Sequence, residues 1–167
     1  MTSAKYSLVA VHLTTINVGV ISDTHGLIRA EAIEALRASE LFIHAGDVGA
    51  PEVLEHLRAI APTIAVRGNV DKDRWAQSLP LNEVIKVGEV QIYMLHDVTE
   101  LDFDPKAAEV SAVISGHSHR ATAELRDGVL FLNPGSAGPR RFTLPVTVAR
   151  LRVAGKSLSH EFIELRV

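Results

Sequence analysis

Eight histidines stand in this chain of 167 residues, and four of them, His25, His96, His117 and His119, lie in short polar clusters that contain or adjoin glycine or aspartate, each cluster following an apolar run. The clusters are Asp23-Thr24-His25, Gly46-Asp47, Gly68-Asn69-Val70-Asp71, His96 and Gly116-His117-Ser118-His119. Each alone is a weak signal, because a lone histidine after an apolar strand is more often a hydrogen-bonded structural residue than a ligand. The ordered series carries the weight. Asp23, His25, Asp47, Asn69, His96, His117 and His119 together offer four imidazoles, two carboxylates and one amide oxygen. Such a nitrogen and oxygen set suits Mn, Fe, Zn, Ni or Co rather than calcium, and selects poorly among them. Residues i and i+2 of an extended segment point the same way, so the spacing predicts that Asp23 and His25, or His117 and His119, reach one ion. Glycines at 46, 68 and 116 are expected to let the backbone turn sharply there.

Composition narrows the remaining chemistry. Cysteine is absent, which removes disulfides, iron–sulfur clusters, thiolate zinc sites and cysteine nucleophiles together. With 47% hydrophobic and 22% charged residues the chain has ample material for one buried core. A formal net charge of -3 predicts no strong general affinity for nucleic acid or an anionic membrane, so partners must be read from the site. No apolar run approaches the ~18 residues of a membrane span. The first residues carry Lys5 and a short apolar stretch, but His12, Thr14 and Thr15 interrupt it and no small-residue cleavage site follows. The expectation is a cytoplasmic protein in which residues 1–15 are a loose extension, or the product of an upstream start codon, and residues 16–167 form a single domain.

The elements that must position the clusters can be read in order. Ile16 to Ile21 reads as a buried strand, Ile28 to Ser39 as an amphipathic helix and Leu41 to Ala45 as a strand. A helix begins at Pro51 with Val53, Leu54, Leu57, Ile60 and Ala61 as its buried stripe, and Thr63 to Val66 is a third strand. Such alternation predicts a largely parallel sheet with right-handed crossovers, and ligands bind beyond the carboxyl ends of its strands. The second half changes character. Glu83 to Val87 with Val90 to His96, Ala123 to Leu125 with Val129 to Leu132, and Val146 to Val153 with Ser157 to Leu165 read as hairpins. A short helix is expected near Pro105 to Val110, before a strand at Ala112 to Ser115. The economical architecture is an α/β fold, a four-layer αββα sandwich of two mixed β-sheets flanked by helices.

In motif order the chain resembles the calcineurin-like metallophosphoesterases, specifically their small bacterial and archaeal phosphodiesterase branch. The likeness spans roughly residues 16 to 165 and takes in Asn133-Pro134-Gly135-Ser136. It implies that Asp23, His25 and His119 hold one divalent ion, that Asn69, His96 and His117 hold another, and that Asp47 bridges them. Manganese is the first expectation, with Ni, Fe, Zn, Co or Mg as alternatives. Two such ions against two carboxylates leave a formal charge of about +2, which attracts a phosphate anion despite the acidic chain. The implied reaction is in-line attack of a hydroxide shared by the two metals on a small phosphate ester, with no covalent enzyme intermediate. Asp47, Asn69, Asp71 and His117 are the implied catalytic residues, and a homo-oligomer is compatible with the resemblance.

Two positions depart from the pattern. Phosphomonoesterases of the superfamily usually carry a histidine after the metal-binding asparagine, and it helps to protonate the leaving oxygen; here that position is Val70. The departure favours diesters or activated esters. Asp71 remains as an orienter or substitute acid. The branch usually reads His-Gly-His around His96, where Asp97 and Val98 stand here; Asp97 either orients a ligand or adds charge that weakens phosphate binding. The rival to catalysis is a non-catalytic scaffold, as in the retromer subunit that uses this fold for protein contacts. Among the other candidates, His44 reads as a satisfied core histidine before a second-layer partner, and His12, His56 and His160 as structural or surface residues. Asn133 to Ser136 reads equally as a plain turn or a site-edge loop, Arg140 and Arg141 as solvated before substrate-binding, and Trp75 and Leu79 as packing a loop against the body.

Overall fold

A computed structural model describes residues 14–167. Most of the expected extension, with His12, lies outside the described residues. The first strand, β1 (Thr15–Ile21), is followed by α1 (Ala30–Leu36), β2 (Leu41–His44), α2 (Pro51–Arg58) and β3 (Thr63–Ala65). β1, β2 and β3 pair in parallel, so the crossover reading of the first half holds. Then come β4 (Asn82–Val87), β5 (Val90–Leu95), β6 (Ala112–Ile114), β7 (Ala121–Arg126), β8 (Val129–Pro134), β9 (Thr147–Ala154) and β10 (Ser157–Glu164). The three expected hairpins are β4–β5, β7–β8 and β9–β10. Two mixed sheets of five strands result, in the orders β10-β9-β1-β2-β3 and β4-β5-β6-β8-β7.

Side-chain alternation along each strand divides the apolar residues between layers. Val18, Val20, Ile43, Ile92, Met94, Ile114, Leu132 and Leu151 fill the space between the sheets. Ile21, Phe42 and Val148 face the other way and are covered by Leu36 of α1 and by Leu54 and Leu57 of α2. Trp75 and Leu79 pack against the same cluster from a 3-10 turn at Arg74–Ser78, so they hold a loop to the body as their apolarity suggested. On the far face of the second sheet, Tyr93, Leu95, Val113 and Val129 meet Val98, Leu101 and Phe103.

That outer cover corrects one expectation. In place of a helix near Pro105 to Val110 the chain makes a single tight turn, in which Ala108 N–H donates to Asp104 O at 3.1 Å and Val110 N–H to Pro105 O at 2.9 Å. Glu109 adopts a φ of 57°, a left-handed conformation that stops a helix from propagating. α1 is likewise shorter than the periodicity predicts. Beyond Leu36 the chain tightens, with Ser39 N–H donating to Leu36 O, and Glu40 N–H pairs with Asn17 O of β1 instead.

The consequence for function is geometric. β1, β2 and β3 of one sheet and β5, β6 and β8 of the other run parallel to their neighbours and deliver their carboxyl ends to one edge of the sandwich. The inter-sheet packing that holds those ends together is testable. Ile92 is fully buried, and Ile92→Ala should cost about 2–5 kcal/mol in urea unfolding. Leu125→Ala, at a residue 71% exposed, should stay within about 0.5 kcal/mol of the parent.

Candidate metal centre

Asp23 and His25 follow β1, Asp47 follows β2, Asn69 follows β3, His96 follows β5, and His117 and His119 follow β6. The structure brings all seven side chains together. His119 Nε2 lies 3.2 Å from Asp23 Oδ1 and 3.4 Å from His25 Nε2. His25 Nε2 lies 3.9 Å from Asp47 Oδ2, and His96 Nε2 lies 3.3 Å from the same oxygen. His96 Nε2 is also 3.1 Å from Asn69 Oδ1, which His117 Nδ1 approaches at 3.2 Å. Asp23, His25 and His119 form one compact triad of ligand atoms, and Asp23, Asp47 and His96 form a second.

The way these side chains come to share a side differs from the expectation. Asp23, His25, Asp47, His117 and His119 have φ of 54°, 48°, 52°, 70° and 58°, so none of the five is extended. β1 ends at Ile21 and β6 at Ile114, and the pleat that would align residues two apart has stopped before the ligands begin. Left-handed turns do the aiming instead. Asp and His are among the non-glycine residues that tolerate this region best, and the strain of such a conformation is of order 1 kcal/mol or more per residue.

The glycines also act differently from the expectation. Of Gly46, Gly68 and Gly116, Gly46 alone has the positive φ that a sharp turn requires. A Cβ at Gly68 would overlap the amide nitrogen and Oδ1 of Asp47, and one at Gly116 would overlap Ser22 Oγ. Both are therefore needed for close approach of one loop to another rather than for backbone freedom.

Several residues that supply no ligand fix the loops. The backbones after β1 and β2 stay zipped by Asp23 N–H to Gly46 O at 3.0 Å, His25 N–H to Asp47 O at 3.0 Å and Gly26 N–H to Val48 O at 2.7 Å. Asp71 accepts hydrogen bonds from the amides of Val48, Gly49 and Gly68 at 3.1, 2.9 and 2.8 Å, tying the β3 loop to the β2 loop. Of its two expected roles, orienter or substitute acid, that geometry supports orienting. Asn133 to Ser136 closes the ring: Asn133 Nδ2 donates to Gly116 O at 2.6 Å and Ser136 Oγ to Asp23 O at 3.0 Å. Ser22 and Thr24 were missed in the sequence reading. Ser22 Oγ donates to Asp23 Oδ2 at 2.6 Å, and the signal was a small hydroxyl residue on each side of Asp23 at the end of an apolar run.

Electrostatics favour a cation. Asp23 Oδ2 accepts from Ser22 Oγ and from the His117 amide, whereas Asp23 Oδ1 is buried and among the described residues has no hydrogen-bond partner, although imidazole nitrogens stand 3.2 and 3.9 Å away. Burial raises the Asp23 pKa and lowers that of His119, so an ion-free site disfavours both charges. For Asp47, burial pushes upward, but hydrogen bonds from His96 and the Val70 amide and the neighbouring imidazoles outweigh it and hold the carboxylate below its ordinary range. An orphaned buried carboxylate oxygen among converging imidazole nitrogens is the donor set that a divalent ion satisfies. Asn69, Val70 and His117 are exposed and form the open side. There a cavity of about 120 Å³ lies against Asn69, His96 and His117, walled further by Arg67, Leu81 and Asp97. A larger cavity of about 510 Å³ near Leu130 and Lys156 carries none of the seven.

Residues 16–156 match the calcineurin-like phosphoesterase superfamily domain. A probable metallophosphoesterase of Methanothermobacter thermautotrophicus is 32% identical over 87% of this chain and 91% of its own. A phosphodiesterase of Methanocaldococcus jannaschii is 28% identical over 71% of this chain and 82% of its own. The crystal structure of Chaetomium thermophilum Vps29 has a TM-score of 0.78 at 24% identity, covering 90% of this chain and 89% of that one, a likeness of fold.

His44 shows how deeply the loops depend on neutral imidazole. The Gly46 amide donates to its Nδ1 at 3.2 Å, which leaves the proton on Nε2 to donate to Thr24 Oγ1 at 2.9 Å, and Thr24 Oγ1 donates in turn to Val48 O at 2.9 Å. Complete burial drives the His44 pKa down to about 3. Its folded pKa lies below the unfolded value of about 6.5, so its contribution is fully present above that pH and lost as pH falls toward 3, at about 1.4 kcal/mol per pH unit. In chelator-stripped protein, the urea-unfolding difference between wild type and His44→Gln should shrink from pH 7.5 to pH 5. A pH-independent difference would refute this account.

Proposed function

The chain belongs to the calcineurin-like phosphoesterase superfamily, and from that premise we propose that it is a metal-dependent phosphodiesterase acting on small phosphate esters through a dinuclear centre. The observation that carries the reading is the completeness of the site: all seven candidate side chains converge at one edge, beside a buried carboxylate oxygen that has no hydrogen-bond partner among the described residues. In this reading Asp23, His25 and His119 would hold one ion, Asn69, His96 and His117 would hold the other, and Asp47 would serve both. Divalent ions bound there, manganese foremost, would supply the Lewis acidity for activating a water near neutral pH and for neutralising charge on phosphoryl oxygens.

The remaining work falls to the chain. Asp47 presents Oδ2 to His25 and His96 while the Val70 amide holds its other oxygen at 3.0 Å. Asn69 and His117, on the open side, border the space a phosphoryl group must enter, and Asp71 fixes the loops behind them. Val70 offers an exposed apolar side chain beside Asn69, with no proton to give a poor leaving group. That favours diesters or activated esters over ordinary monoesters. The scaffold alternative would leave this ligand set without a purpose.

The test is to strip the protein with chelator, restore Mn, Ni, Mg or Zn separately, and follow a chromogenic phosphodiester and the matching monoester. Turnover of the diester should return with at least one metal, and its absence with every metal would end the proposal. Asp47→Asn should lower turnover by more than about a hundredfold while leaving the thermal transition of the stripped protein near that of wild type. Val70→His should shift preference toward the monoester, since a positioned acid contributes about a hundredfold or more.

A further inference from the structure

His96 and His117 present one ring nitrogen each to Asn69 Oδ1, but they are steadied differently. His96 is buried, and its far nitrogen, Nδ1, is 2.7 Å from the Ala45 carbonyl, which fixes the ring with Nε2 facing Asp47 and Asn69. The His117 side chain is 47% exposed. Its Nδ1 faces Asn69, and its far nitrogen, Nε2, stands 3.6 Å from Asp97 Oδ2, just beyond hydrogen-bond reach and within a small rotation of the exposed ring.

Asp97 is itself held. Its Oδ1 accepts from both the amide and the hydroxyl of Thr99, at 2.9 and 2.8 Å, capping the 3-10 turn Val98–Glu100. Val98 anchors that turn in the apolar cluster on the outer face of the second sheet. With both Thr99 donors on one oxygen, the other is left to face His117. Asp97 and Val98, the residues that break the His-Gly-His pattern, thus build a fixed acceptor facing the far nitrogen of His117.

We propose that Asp97 is a positioning residue that orients the His117 ring, so that Nδ1 points at the ion shared with Asn69 and His96. A carboxylate on the far N–H of a metal-binding imidazole fixes the ring and raises its basicity. An exposed pair of this kind adds little to folding stability, so its effect belongs in metal affinity. The inference rests on the metal-centre reading above.

Asp97→Asn separates the two roles of the side chain. Its amide oxygen can still cap Thr99, while an N–H2 group, a donor instead of an acceptor, faces His117. Mn(II) titration calorimetry on the stripped chain of residues 1–167 should show two sites in wild type. In Asp97→Asn the weaker site should lose about 10–100-fold in affinity, with the other site and the thermal transition unmoved. In a His117→Ala background the same substitution should change nothing further. Wild-type affinity at both sites in Asp97→Asn, an equal loss in the His117→Ala background, or fewer than two sites in wild type would each overturn the proposal. Two sites with the expected loss but no diester turnover would leave Asp97 in this role and remove the phosphodiesterase reading. Diester turnover with unchanged affinities would do the reverse.

Discussion

The carboxylate of Asp23 lies fully buried where two β-sheets meet, one oxygen held by Ser22 and a backbone amide, the other facing imidazole nitrogens without a hydrogen bond. Leaving such a group uncompensated costs several kcal/mol, so the surrounding structure must either neutralise it or hold it ready for a cation. The arrangement fits the second. Ser22 and the His117 amide turn one oxygen outward from the site, and His119 and His96 stand off the other at distances that leave its lone pairs free. Because the Asp23 backbone pairs with Gly46 and its carbonyl accepts from Ser136, both sheets converge on this residue.

Asp23 and four further candidate ligand residues beside it adopt left-handed backbone conformations, and at two glycine positions a methyl group would overlap a neighbouring loop. Local structure of this kind is unfavourable alone and persists only when its surroundings over-determine it. The over-determination here is visible as the zipped β1 and β2 loops, the three amides on Asp71, the buried Thr24–His44–Gly46 chain and the Asn133–Ser136 clamp. The apolar sandwich beneath supplies the rigid strand ends from which those loops project.

Much of this was readable in the residues because it follows from patterns of period and punctuation. Apolar runs ending in polar clusters located the strands and set the ligands at their carboxyl ends, and glycine turns located the hairpins. What could not be read depends on approach between segments distant in the chain. His44 is a core histidine by its apolar neighbours, but its partners Thr24 and Gly46 become evident only when two loops lie side by side. Extended geometry was the natural inference for Asp23-x-His25, yet φ is not written in a residue's type, and both residues had already left the strand. The turn at 105–109 carries helix-forming residues, but too few of them to propagate a helix.

The Asn133–Ser136 clamp has a consequence for how the protein is made. Its bonds join Gly116 and Asp23 across separations of 17 and 113 residues, so the first ligand loop is held in place by a segment synthesised more than a hundred residues later. Contacts of that sequence separation form late and slowly in folding. A chain emerging from the ribosome therefore displays Asp23, His25 and Asp47 long before the clamp exists, and the finished geometry around them waits until residues 133–136 have been released. Assembly of the candidate centre is thus tied by the topology to residues more than a hundred positions downstream.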